Sequence, residues 1–288
     1  MTKLVAILNV TPDSFSETEN RVDHRTAVKH ALAMIEEGAD VVDIGAESTR
    51  PNATSLDPEE EWARLGPCLS PILAAARERG VAISVDTRNA ATARLALAAG
   101  VDWINDVTGF ADPEMRAVVA DSDGRLVLMH SLKVPVDPTV LLPEGADVLT
   151  TLMEFFAARL DLMERAGIAR DRVILDPGLG FGKTAAQSLW LALHPDAFTA
   201  LARPILIGHS RKSFLKLFTS RPAAERGDVT LAISAALLSR RVDYIRIHEV
   251  ARHRALIDTI RREAPSYSTD CHKALSCPTT SSSRASTH

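Results

Sequence analysis

Eight short apolar runs, separated by amphipathic segments, constrain the fold of this chain more than any other feature. They fall at residues 4–8, 41–44, 82–85, 103–104, 126–129, 173–175, 205–207 and 244–247. The runs are continuous rather than alternating, which is the pattern of a parallel strand covered on both faces. The segments between them have helical period. In 24–37, Ala27, Ala31, Met34 and Ile35 share a face and Gly38 closes the segment. A second helix, 58–79, follows Asp57, a natural N-cap with proline next to it, and stops at Gly80. Segments 90–99 and 148–166 end at Gly100 and Gly167. Eight strand–helix alternations predict a parallel (β/α)8 barrel, the α/β TIM-barrel class, and 288 residues suit one such barrel. An open doubly wound sheet is the alternative, disfavoured by the even count and the length. The barrel is expected over 1–263. The Ser/Thr-rich tail, 264–288, has no hydrophobic period and is expected to be disordered and idle in chemistry. The fourth run is the least defined. The stretch 131–147, with Pro135, Pro138 and Pro143, is expected to be a functional or mobile loop.

Charge narrows the partners. A formal net charge of −4 without a polybasic block argues against nucleic acid and membrane surfaces. Cys68, Cys271 and Cys277 are few, odd in number and lack zinc-ligand spacing, so a reduced cytoplasmic protein is expected. The apolar start is interrupted by Asn9 and Pro12, too early for a signal core or a membrane span.

The chemistry concentrates where the strands end. In 172–183 an apolar strand runs into Asp176 and then Pro177, Gly178, Gly180 and Gly182, a loop whose backbone can approach a ligand. It is no Walker A loop, because Pro177 stands where the first glycine is required. The dinucleotide glycine pattern fails as well. Other strand ends carry Asn9, Glu47, Asp86 with Thr87, Asn105 with Asp106, Met129 with His130, the run Gly208-His-Ser-Arg-Lys-Ser213, and Arg246 with His248. Thr87, Asp106 and Ser210 are also explained as helix caps, Asp43 as a buried structural partner, and His130 and His209 as core histidines. Polar groups at all eight ends exceed what capping needs. Active sites of such barrels lie at this end. Carboxylates and amides suit a hydrogen-bonding heterocycle, and Arg50, Arg211, Lys212, Arg246 and His248 suit a phosphate-like anion.

These motifs resemble the dihydropteroate synthases. The resemblance rests on Ile7-Leu-Asn-Val-Thr-Pro-Asp-Ser-Phe-Ser16, Asp43-Ile-Gly-Ala-Glu-Ser-Thr-Arg-Pro51, Ser84-Val-Asp-Thr87, Ile104-Asn-Asp-Val107, Met129-His130, Asp176-Pro-Gly-Leu-Gly-Phe-Gly-Lys183, Ser210-Arg-Lys-Ser-Phe214 and Arg246-Ile-His248, in family order over 4–262. It implies a pterin-binding barrel that condenses 6-hydroxymethyl-7,8-dihydropterin diphosphate with p-aminobenzoate in folate synthesis, with Mg²⁺ as cofactor, commonly as a homodimer. It further implies catalytic roles for Asp86, Asp176, Lys212, Arg246 and His248. The pterin falls to Asp86, Asn105, Met129, Asp176 and Lys212, with Arg211 either stacking on it or serving structure. Asn9 is implied as the metal residue, and Asn9, Thr49, Arg50, Arg246 and His248 as the diphosphate set. Phe15, Thr49, Pro51, Phe181 and Ser213 fall to p-aminobenzoate.

The chain departs from the family pattern in places. Glu17-Thr-Glu19 replaces Asp-Gly-Gly, Ala46 a glycine, Ser131-Leu-Lys-Val-Pro135 a Met-X-Gly-Thr-Pro run, Glu249 an aspartate and Asp228 a threonine. These touch loops and rims more than the pterin floor. A sulfonamide-insensitive form is one expectation from them, against which the retained Ser210-Arg-Lys-Ser213 counts. A methyltetrahydrofolate–corrinoid methyltransferase and a non-catalytic pterin-binding subunit are the competing readings; neither needs the clamp residues present here.

Overall fold

A computed structural model describes residues 2–11, 23–48, 55–240 and 242–263. The expected tail lies outside the described residues, as do Phe15, Thr49, Arg50 and Pro51. Within them strands and helices alternate: β1 (Lys3–Asn9), α1 (His24–Glu36), β2 (Val41–Gly45), α2 (Pro58–Arg79), β3 (Ala82–Asp86), α3 (Ala90–Ala99), β4 (Trp103–Asp106), α4 (Pro113–Ala120), β5 (Arg125–Met129), α5 (Val148–Arg165), β6 (Val173–Asp176), α6 (Ala185–Leu193), β7 (Leu206–Ile207), α7 (Gly227–Leu238), β8 (Tyr244–Ile247) and α8 (Val250–Glu263). All pairings are parallel, in the order β6-β5-β4-β3-β2-β1-β8-β7. The seam between β6 and β7 is joined by one bridge, Leu175 to Ile205, where Leu175 N donates to Pro204 O at 2.9 Å. The result is the expected barrel.

Local signals set the elements. The Asp57 side chain accepts from Glu60 N, three glutamates occupy the first turn of α2, and Gly80 ends it in the left-handed region. Thr184 and Gln187 form a reciprocal capping box at α6. Four strands run one residue beyond their apolar runs at the C-terminal end, so Asn9, Asp86 and Asp176 are themselves last strand residues. β4 is well formed over four residues, whereas β7 is the shortest strand because Ile205 is taken up by the seam.

The period of two divides the strand residues between two environments. Outward side chains such as Leu4, Val42, Ile83, Ile104, Leu128 and Ile245 pack beneath the helices. Inward side chains at the lower end, Val5, Val41, Trp103, Val127, Ile174, Leu206 and Tyr244, form a separate plug. Trp103 meets Tyr244 edge to face at 5.2 Å, and Arg125 Nη1 donates to the Tyr244 hydroxyl at 3.2 Å. The plug fills the lower end of the barrel interior, opposite the strand C-termini.

The 131–147 stretch is fastened rather than free. Ser131 Oγ donates to Val107 O at 2.7 Å, Leu142 N to Gly182 O at 2.8 Å, and Gln187 Nε2 to Pro143 O at 3.2 Å. No helix among the described residues is long and apolar enough to cross a membrane.

Phe156 on α5 is fully buried, edge-on to Phe155 at 5.5 Å and to Phe198 at 5.8 Å. Phe156→Ala is expected to cost about 3–5 kcal/mol, read from urea-denaturation midpoints, with the far-ultraviolet circular dichroism of the folded protein unchanged.

Candidate active site

Above the plug the inward positions turn polar. Register places Asp43 beside Ser84, Asp86 beside both Gly45 and Asn105, and Asp176 beside Met129. Arg246 reaches across this layer. Its Nη2 donates to Asp176 Oδ2 at 2.9 Å and its Nη1 to Asp43 Oδ2 at 3.4 Å. Asn105 Nδ2 donates to the same Asp43 oxygen at 3.0 Å, and Gly178 N to Asp176 Oδ1 at 2.8 Å. Gly208 makes room for the guanidinium, since a Cβ there would lie 3.1 Å from Nη2. Three buried atoms of the floor have no hydrogen-bond partner among the described residues: Asp43 Oδ1, Asn105 Oδ1 and Ser84 Oγ. Buried polar atoms are normally satisfied, so unmatched acceptors here suit a ligand that brings N–H donors. Ile7, inward on β1, is partly exposed between buried Ala6 and Leu8, so the open space reaches down to it. Asp86 stands at the mouth. Burial and then the charge of Asp43 raise its carboxyl well above the usual range, with Arg246 opposing.

One wall comes from the β6 loop. Gly178 has φ +63°, and a Cβ there would lie 2.0 Å from His130 O, so only glycine fits. Lys183, which closes the motif that starts at Asp176 but was given no role in the sequence reading, is buried under this loop. Its Nζ lies 2.8 Å from His130 Nδ1 and 3.0 Å from both Gly178 O and Phe181 O. Burial and then the nearby Lys212 charge lower its pKa to about 7. Burial and then Lys183 lower His130 to about 3, so that ring is a neutral acceptor. Phe181, Met129 and Val107 form an apolar patch, backed by Val134 and Val136 of the 131–147 stretch. Lys212 approaches from the β7 loop. Its Nζ donates to Leu179 O at 2.6 Å and sits 4.7 Å from the Phe181 ring centroid. Burial is the largest influence on Lys212 and lowers its pKa to about 8 despite Asp176.

The remaining groups divide. Ser210 Oγ and His248 Nδ1 are 2.8 Å apart at the ends of β7 and β8. Asn9 is partly exposed at the end of β1, paired in register with Gly45. Ser213 is exposed and opens a five-residue 3-10 turn, Ser213–Leu217. Arg211 is turned aside: its Nη2 donates to Glu249 Oε1 at 2.9 Å, which favours the structural of its two expected roles. Asp106 is consumed by the amides of Thr108 and Phe110 and the Thr108 hydroxyl. His209 bonds Ser234 in the core at 2.7 Å. Glu61, fully buried on α2, accepts from Thr87 Oγ1 at 2.8 Å and Asn89 Nδ2 at 2.9 Å, which fixes the loop after Asp86. It was not singled out in sequence, where it looks like one of three helix-opening glutamates. Thus bonds, register and packing gather Asp43, Asp86, Asn105, Met129, Asp176, Phe181, Lys212 and Arg246 at the C-terminal end of the barrel, with Asn9 and His248 at neighbouring strand ends. Among the described residues no group of three or more His, Cys, Asp or Glu is placed to hold a metal.

A barrel mouth with carboxylates and an amide on its floor, an apolar wall and cations above can hold a flat polar ring that carries an anion. Comparison with known proteins agrees. Residues 5–248 match the family model of the pterin binding enzymes. The chain is 43% identical over 256 residues to a probable bifunctional folylpolyglutamate synthase/dihydropteroate synthase of Halobacterium salinarum. That match covers 89% of this chain but only 31% of the relative, so the chain spans about a third of that protein. A crystal structure of dihydropteroate synthase from Anaplasma phagocytophilum with bound 6-hydroxymethylpterin-monophosphate superposes with a TM-score of 0.83 at 38% identity, over 91% of this chain and 98% of that one. The Xanthomonas albilineans dihydropteroate synthase with 4-aminobenzoic acid gives a TM-score of 0.82 at 35% identity, over 91% and 93%. The chain belongs to the pterin-binding enzyme family, among the dihydropteroate synthases.

Asp86 yields a test with a definite sign. Its folded pKa is raised above the unfolded value, so the ionised carboxylate costs stability above that folded pKa and nothing below about pH 4. Asp86→Asn is expected to raise the urea midpoint at pH 7.5, and the gain should vanish as pH falls to about 4. A midpoint lowered at pH 7.5 contradicts this account of the mouth.

Proposed function

We propose that this chain is a dihydropteroate synthase, a transferase that joins 6-hydroxymethyl-7,8-dihydropterin diphosphate to p-aminobenzoate and releases diphosphate. The observation that carries the reading is the floor: Asp176, Arg246, Asp43 and Asn105 in one bonded layer, with acceptor oxygens left over. An aminopyrimidinone edge presents adjacent N–H donors to such acceptors. Asp86, Asn105 and Asp176 are assigned to that edge, Met129 to one face of the ring, and Lys212 to its rim.

The reaction breaks the C–O bond to diphosphate, forms a C–N bond to the arylamine and frees the amine's proton. Arg246 is assigned with His248 to the diphosphate, where positive charge is worth most as the leaving group gains charge. The Ser210–His248 contact orients the imidazole at the rim. Phe181 and Ser213, with Phe15, Thr49 and Pro51 outside the described residues, are assigned to p-aminobenzoate, and Arg50 to the diphosphate. The amide oxygen of Asn9 is a hard donor of the kind Mg²⁺ takes, and an ion shared with a diphosphate needs few protein ligands. Bound there, Mg²⁺ would neutralise diphosphate charge. The methyltransferase alternative needs no diphosphate clamp, so Arg246, His248 and Ser210 favour the synthase.

Diphosphate release with dihydropterin diphosphate, Mg²⁺ and p-aminobenzoate tests the reading. Release is expected to require p-aminobenzoate and to fall at least about 100-fold in Asp176→Asn, as for a lost charged hydrogen bond worth about 3 kcal/mol. Tight pterin binding without release would instead favour the methyltransferase or binding-subunit reading. The reading extends to a weakened response to sulfonamides, from the altered first loop and the Ser131–Pro135 departure. Sulfamethoxazole in the same assay is expected to compete less well than in a sensitive enzyme, and ordinary micromolar inhibition removes that extension.

The proposal includes a homodimer through outer helices. Trp190 on α6, with Leu217 at the end of the adjoining 3-10 turn and Phe218 just after it, exposes apolar surface at 37%, 53% and 54%. Phe218→Glu is expected to shift the protein from dimer to monomer in light scattering at micromolar concentration; a wild-type monomer discards the assignment.

A further inference from the structure

Arg226 is 5% exposed, and its described partners are all backbone carbonyls. Its Nη1 donates to Arg211 O at 3.2 Å and to Lys212 O at 3.1 Å, and its Nε to Arg221 O at 3.0 Å. No carboxylate pairs with it among the described residues. A buried guanidinium without a counter-charge is costly, so its retention calls for a return elsewhere. Two successive carbonyls can face one donor only across a turn, and Arg211 supplies it with φ +60°, a conformation that a bulky residue adopts only when held. The turn is held twice from α7: by Arg226, its N-cap residue, and by Thr230, whose hydroxyl accepts from Arg211 N at 3.2 Å. Thr230 N in turn donates to Arg226 O at 2.9 Å. The next side chain out of this turn is Lys212, which crosses the mouth to Leu179 O and the Phe181 ring.

We propose that Arg226 is a positioning residue: it locks the Arg211–Lys212 backbone to the first turn of α7 and so aims the Lys212 ammonium across the mouth at the β6 loop. This rests on the synthase reading for its link to turnover, but the placement of Lys212 stands apart from it. Lysine cannot replace the fork, because a single ammonium does not span Arg211 O, Lys212 O and Arg221 O with fixed geometry. The groups acting on the Lys212 amine are Asp176, Asp86 and Arg246 across the mouth, with Lys183 beneath the β6 loop. Burial outweighs them. Release of the lysine into water therefore moves its titration upward from about 8.

The test uses the full chain, with Arg226→Lys and Arg226→Gln. Acylation of the Lys212 amine, followed by mass spectrometry across pH without substrate, reads its titration directly. Both variants are expected to shift the Lys212 midpoint up by about one unit and to raise KM for dihydropterin diphosphate about tenfold, while kcat changes less. Arg252→Gln serves as the control: it cuts the ion pairs to Asp228 and Glu249 on the neighbouring helix ends and should leave the midpoint in place. A lowered Tm with an unmoved Lys212 midpoint in Arg226→Lys overturns the proposal and leaves Arg226 as a structural cap. If the wild type releases no diphosphate, the synthase reading fails, and the acylation midpoints still decide the role of Arg226.

Discussion

The mouth of this barrel depends on one guanidinium. Arg246 lies between Asp176 and Asp43 with 8% of its surface exposed. Two buried carboxylates in one layer call for a counter-charge, and the shared guanidinium supplies it. Such a layer contributes little net stability, because desolvation consumes most of the Coulombic gain. What it does supply is fixed geometry. Once Arg246 is held, Asp43 holds Asn105, Asp176 holds the Gly178 amide, and buried acceptor atoms of the floor are left without a partner among the described residues. A floor of aliphatic side chains would be easier to bury and would recognise nothing.

Above that floor, buried cations on backbone carbonyls do what apolar packing does elsewhere. Lys183 ties the β6 loop through Gly178 O and Phe181 O, Lys212 takes Leu179 O between them, and Arg226 takes Arg211 O and Lys212 O. Loop backbone near a ligand carries carbonyls that no strand or helix pairs, and each needs a donor. Side-chain cations meet that need and add positive charge around a pocket read as receiving a diphosphate. The loops thus gain order from the same groups that set the field, which links the stability of the mouth to its proposed chemistry.

Much of this was legible in the sequence because its signals are local. Apolar runs gave the eight strands, and Asp57 with Pro58 and Gly80 gave α2 to the residue. The strand-end residues Asp86, Asn105 and Asp176 were visible because each interrupts or closes a hydrophobic run. What stayed hidden depends on distant partners. Arg226 precedes a helix at a position where any polar residue would pass. Its meaning comes from carbonyls 14 and 15 residues away. Lys183 needs His130, 53 residues earlier, and Asp43 needs Arg246, 203 residues later. Asp106 and His209 look as functional in sequence as Asp176, and only their bonds to Thr108 and Ser234 mark them as structural. The seam was equally invisible, since one bridge at Leu175 leaves no period to read.

The departures from the family pattern gain coherence in three dimensions. Glu249 and Asp228 stand 21 positions apart in sequence, yet Arg252 donates to both, at 2.8 and 2.7 Å. Glu249 also accepts from Arg211 at 2.9 Å. The four side chains form one chain of alternating charge from the rim of α7 to the turn before Lys212. Exposed ion pairs of this kind are individually worth little. Their effect is directional: Arg211 is drawn outward to Glu249, and its backbone is left to Thr230 and Arg226. Two changes that look like drift along the sequence therefore act on one side chain, Arg211, and they act outside the floor assigned to the pterin ring.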